Sequence, residues 1–72
     1  MLTLSQFVKA KRKSLGLTQV QLAERAGVGL RFLRELEGEK PTLRCDRVNQ
    51  VLALFGAVLV PVALDKIKEA QK

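Results

Sequence analysis

The fold turns on the stretch TQVQLAERAGVGLRFLRELEG, Thr18 to Gly38. Thr18 precedes an apolar-periodic run, where its hydroxyl can accept an amide hydrogen bond from the first turn of a helix. Val20, Leu22, Ala23 and Ala26 recur in that run and are expected to face inward over a helix from Gln19 to Ala26. Gly27 then occupies the position where a left-handed residue costs least. A second run starts at Gly29 or Leu30 and ends at Glu37, before Gly38. With about 100 degrees of turn per residue, Leu33, Leu36, Phe32 and Gly29 share one side of it. Leu30, Arg31, Arg34 and Glu35 share the other, within an arc of about 140 degrees. The first side explains folding. The second leaves two arginines, a glutamate and a leucine to be accounted for.

Working outward, Thr3 or Ser5 can cap an earlier helix that runs to about Ser14 and stops at Gly16. Phe7, Val8 and Leu15 supply its apolar side, and the lysines Lys9, Lys11 and Lys13 its wet side. After a loop at Pro41 and Thr42, a fourth helix is expected from about Cys45 to Phe55. Asp46 stands near its positive end, and Val48, Val51, Leu52 and Phe55 form its buried stripe. Gly56 ends it. The sequence then reads AVLVPVAL, Ala57 to Leu64.

The run from Val51 to Leu64 is uncharged, too short for a membrane span, and broken by Gly56 and Pro61. Val58, Val60 and Val62 are β-branched at period two, which predicts a strand. A lone strand has no backbone partner in its own chain. Pairing of Val58, Leu59, Val60 and Val62 with the same strand of a second copy, across a twofold axis, resolves this. Pro61 fits there if its missing N–H falls on an open edge. The expected organisation is a helical domain over 1–56, a dimerisation strand over 57–64 and a charged, helix-permissive tail over 65–72. No internal repeat or low-complexity segment interrupts it.

Composition narrows the function. A chain of 72 residues is one domain at most. Its 13 Lys and Arg against 7 Asp and Glu give a net charge of +6, which favours polyanions as partners. Cys45 is the one cysteine and there is no His, so neither a disulfide nor a metal site is expected. Cys45 reads as a small filler residue in a reducing, cytoplasmic setting. MLTLSQFVKAKRK has no long apolar stretch, so no signal peptide is expected. With no His, no Tyr, no glycine-rich phosphate loop after a strand and no paired carboxylates, an enzyme is not expected, nor any cofactor. Three Phe with no Trp or Tyr offer little for stacking on RNA bases.

Two short helices joined by a tight glycine turn form a helix-turn-helix, whose second helix enters the major groove of DNA. Here LGLTQVQLAERAGVGLRFLRELEGEKPTL resembles the core of the Xre-like, phage-repressor family of helix-turn-helix proteins. The resemblance rests on Leu17-Thr18-Gln19, Leu22-Ala23, Ala26-Gly27-Val28, Leu33, Leu36-Glu37 and Gly38, and extends from about Phe7 to Gly56. ERAGVGLRFLRELEGEKPTLRCDRVNQVLALFG, followed by a valine-rich end, further resembles the short HipB-like antitoxins.

The resemblance implies a mostly α, lambda-repressor-like bundle with a short C-terminal strand pairing across a dimer. It also implies roles. Gly29, Leu30, Arg31, Arg34 and Glu35 would face the bases. Thr18, Gln19, Lys40, Thr42 and Arg44 would lie along the phosphates, Gln19 at a helix N-terminus that favours anions. Arg12 and Glu37 would form a structural ion pair between the first and third helices. Two positions depart from the pattern. Gly29 stands where the family commonly has Ser or Thr, and Leu30 is unusually apolar for a base-facing site.

As a whole, the resemblance implies a dimeric, sequence-specific repressor of its own operon, binding palindromic double-stranded DNA and, if HipB-like, a HipA-like serine/threonine kinase toxin. Two other readings stay open. One is a stand-alone phage, mobile-element or restriction-controller regulator. The other is a protein-interaction module with little DNA specificity.

Overall fold

The computed structural model describes residues 2–64. Four helices follow in chain order: α1 Leu4–Ser14, α2 Gln19–Ala26, α3 Leu30–Glu37 and α4 Cys45–Ala53. The molecule is mostly α.

The first two helices begin in the same way. Thr3 accepts from the Gln6 N–H at 3.3 Å, and the Gln6 side chain returns to the Thr3 N–H at 2.9 Å. Thr18 and Gln21 repeat the arrangement for α2 at 3.1 and 2.9 Å. Each box satisfies two backbone donors that a helix end otherwise leaves open. Gly27, at φ +73°, closes α2 in the left-handed region, and the Val28 N–H reaches back to the Ala23 C=O. Buried Val28 then packs under the turn.

α3 ends at Glu37, before Gly38, as read from the sequence. Gly38 has φ −88°, and the left-handed residue is Glu39, at φ +63°. The Lys40 N–H bonds the Glu35 C=O and the Glu39 N–H the Leu36 C=O, the pattern in which a left-handed residue follows a helix. Gly38 is needed for space instead, since a Cβ there would lie 3.0 Å from the Arg34 carbonyl oxygen. The Glu39 carboxylate accepts from Ser5 Oγ at 2.9 Å, beside the N-terminus of α1. This ties the end of α3 to the start of α1.

The core takes one stripe from each helix. Val8, Leu22, Leu33, Leu36, Val48 and Val51 are the largest fully enclosed side chains. Each contributes about 1.5–3 kcal/mol by leaving water. α3 packs against both α1 and α2, and α4 packs against α2. Phe7 and Phe55 meet edge to face at a centroid distance of 6.4 Å, joining α1 to the turn after α4.

Several expected placements are corrected. Val20 is exposed, because it stands about 160 degrees round α2 from Leu22. Leu15 is exposed in the turn after α1. Cys45 is also exposed, as the first residue of α4 rather than a core filler. α4 stops at Ala53, yet Phe55 still packs on the core from the following turn.

Among the described residues there is no strand. Residues 57–63 run on without helix, turn or bend, and no second strand lies among the described residues to pair with them. The expected strand therefore does not form within one copy. The 65–72 tail lies outside the described residues. No helix among the described residues is long and apolar enough to cross a membrane.

Candidate nucleic-acid interface

The outward face of α3 is positioned by what its inward face buries. Leu33 and Leu36 are enclosed, and Phe32 is half-buried against them. Arg31 and Arg34 consequently stand in solvent, with the Arg31 side chain 93% exposed. Gly29 is exposed at the start of the helix. Leu30 is half-buried, so its apolar surface is shared between the helix junction and solvent.

Glu37, the last residue of α3, is a buried carboxylate, its side chain only 2% exposed. Arg12 meets it with both prongs, Nε at 2.8 Å from Oε2 and a terminal nitrogen at 3.0 Å from Oε1. The remaining Arg12 nitrogen donates to the Leu17 carbonyl at 2.9 Å. Gln19 donates its side-chain N–H to Glu37 Oε1 at 3.2 Å. This cluster joins α1, the entry to α2 and the end of α3. No buried side-chain polar atom among the described residues lacks a partner. A buried pair of this kind costs desolvation to form and more to break. It fixes the orientation of α3 relative to α2.

The Gln19 contact was not foreseen from sequence. One N–H of its side-chain amide is turned inward to Glu37, which leaves the second amide N–H and the backbone N–H at the first turn of α2 to offer an anion. The clasp between Ser5 and Glu39 was also missed. Its one local sign is a Ser in the first turn of α1, and no spacing rule links that to a residue 34 positions on.

The charged side chains of the face are not independent. Glu35 accepts from Arg31 Nε at 3.3 Å and from Lys40 Nζ at 3.2 Å. The Lys40 hydrogen bond, with Arg31 behind it, holds the Glu35 carboxyl below its ordinary value. Arg44 pairs with Asp46 at 2.7 Å and lowers that carboxyl in turn. Arg34, on the same face, has no acidic partner among the described residues. Thr42 is exposed in the loop between Lys40 and Arg44. Thr18 is exposed too, with its hydroxyl oxygen occupied in capping α2.

The structure thus links Arg31, Glu35 and Lys40 along the outer side of α3, and joins Arg12 to Glu37 at its C-terminal end. Arg44 stands with Asp46 at the start of α4. Val58, Val60 and Val62 are all exposed, on the C-terminal segment.

The Helix-turn-helix family pattern matches residues 8–43, from α1 to the loop before α4. The chain belongs to that helix-turn-helix family. Over 49 residues, 68% of this chain, it is 49% identical to y4mF of Sinorhizobium fredii, described as an uncharacterized HTH-type transcriptional regulator. The chain spans 64% of that relative's own length. No solved structure matches the chain.

Proposed function

We propose that this chain is a sequence-specific DNA-binding transcriptional repressor that acts as a homodimer on palindromic operators. The observation that carries the reading is the two-sided character of α3. Its inner face is locked by Leu33, Leu36 and Glu37, and its outer face presents Arg31 and Arg34. Arginine is the side chain best suited to the two acceptors on the guanine edge, and a carboxylate such as Glu35 can accept from cytosine. Leu30, half exposed at the helix start, offers apolar contact for a thymine methyl. Lys40, Thr42, Arg44 and the first N–H groups of α2 are assigned to phosphates. The relative named as a transcriptional regulator supports the same role.

One module buries too little surface for tight specific binding. Two copies would set two α3 helices about one turn of DNA apart. The uncharged valine segment is assigned to that dimer contact. In the narrower form of the proposal, the protein is the antitoxin of a HipA-like kinase and represses its own operon from the cytoplasm. The resemblance to HipB-like antitoxins and the valine-rich end support it, and catalysis would belong to the kinase. Co-elution with such a kinase after coexpression is the expected result, and separate elution would contradict it.

Selection of bound sequences from a random duplex library, at near-physiological salt, tests the DNA reading. An inverted repeat is expected. Recovery of no motif would favour a protein-interaction module, a reading to which the exposed valines lend some support.

A further inference from the structure

The C-terminal segment carries information about how two copies meet, given the reading above that they pair through it. In an extended chain, the N–H and C=O of successive residues point to opposite edges. Residues 57, 59, 61 and 63 address one edge, and residues 58, 60 and 62 the other. The Ala57 N–H is used by the Leu52 C=O at 3.0 Å. The Leu59 N–H is used by the side chain of Asn49, on α4, at 2.8 Å. Pro61 has no N–H to use. The odd edge is therefore turned toward the chain's own helix. Among the described residues, nothing partners the N–H groups of Val58, Val60 and Val62.

We infer that the even edge is the dimer edge, and that two copies pair antiparallel with Val60 opposite Val60 on the twofold axis. In that register Val58 of each copy faces Val62 of the other, and every exchanged hydrogen bond comes from residue 58, 60 or 62. The missing N–H of Pro61 never falls within the new ladder. Leu59 falls opposite Pro61, so all facing pairs are apolar, and β-branched residues face each other, which suits strand pairing. The segment is its own complement about Val60. That, with no charge between Val51 and Leu64 to guard an open edge, points to a second copy of this chain. Asn49 is the positioning residue, since it fixes which edge faces out.

Single cysteines at 59, 60 and 61 in a Cys45→Ser background, oxidised under mild conditions and paired with sedimentation of the Cys45→Ser parent, test the register. Residues directly opposite in a bonded pair stand about 5.5 Å apart at Cα, within disulfide reach. The 59–59 and 61–61 pairs would be diagonal, about 7–8 Å apart. Val60→Cys is expected to cross-link completely and first. Fastest linkage through Leu59→Cys or Pro61→Cys in a dimeric protein overturns the register and leaves strand pairing standing. A dimer in which none of the three links pairs elsewhere, which overturns both. A parent that sediments as a monomer at working concentration also overturns both. Adding Asn49→Ala is expected to erase the preference for position 60, and Asn49→Asp, which keeps the acceptor, to restore it. An unchanged preference in Asn49→Ala overturns the role given to Asn49.

Discussion

At the scale of single residues, two carboxylates two positions apart in α3, Glu35 and Glu37, do opposite work. Glu37 is enclosed and holds Arg12, Gln19 and, through Arg12, the Leu17 carbonyl. Arg12→Ala would leave that carboxylate buried without its charge partner, a change that costs about 3–5 kcal/mol. In a domain of this size such a loss removes most of the stability, so urea unfolding should begin at or near zero denaturant. Glu35 is at the surface and restrains Arg31 and Lys40. Its lowered pKa keeps it ionised through neutral solution, so the restraint persists there and is lost only as pH falls through that lowered value. Glu35→Gln frees both cations. Scrambled duplex should then bind more tightly and the preference for the chosen duplex should shrink, as measured by fluorescence anisotropy. Weaker binding to every duplex would contradict this, because removing a negative charge from the face should favour phosphate contact whatever the sequence.

At the scale of elements, each of the first two helices is started by a Thr and a Gln three residues apart, and α2 is stopped by a left-handed glycine. Thr18→Ala should lower stability by about 1 kcal/mol through loss of the cap. Gly27→Ala should lower it by a similar amount or more, about 1 kcal/mol, because the φ of +73° is strained for any side chain. A thermal melt reads both, and no change in Gly27→Ala would remove the turn from the account. These features were legible in the sequence because they are local. Thr18 and Gly27 announce themselves by their places at the two ends of the apolar run. The helix-to-helix arrangement was less so. Val20 has the composition of a core residue and the helical angle of a surface one. Glu39 takes the left-handed position one residue beyond Gly38, where its carboxylate is held by α1. Of the candidate interface, the outward arc of α3 followed from periodicity. The Arg31–Glu35 pair follows from its i, i+4 spacing, whereas the addition of Lys40 and the inward turn of the Gln19 amide depend on tertiary placement that spacing does not encode.

At the scale of the whole molecule, the charge of +6 and the uncharged C-terminal segment divide the labour. The charge supplies affinity through release of counterions from DNA, so binding should weaken by orders of magnitude between about 50 and 200 mM salt. The valine segment is the proposed contact with the second copy. Val60→Asp would set two like charges opposite each other on the twofold and should disperse the dimer by light scattering. A variant that stays dimeric would refute pairing through this segment.

The central claim is that the outer face of α3 reads bases. It is tested most directly by repeating the duplex selection with Arg31→Ala. The account predicts a motif relaxed at one symmetric pair of positions, with the preferred duplex bound about 1–3 kcal/mol more weakly. Recovery of an unchanged motif at unchanged affinity would contradict it.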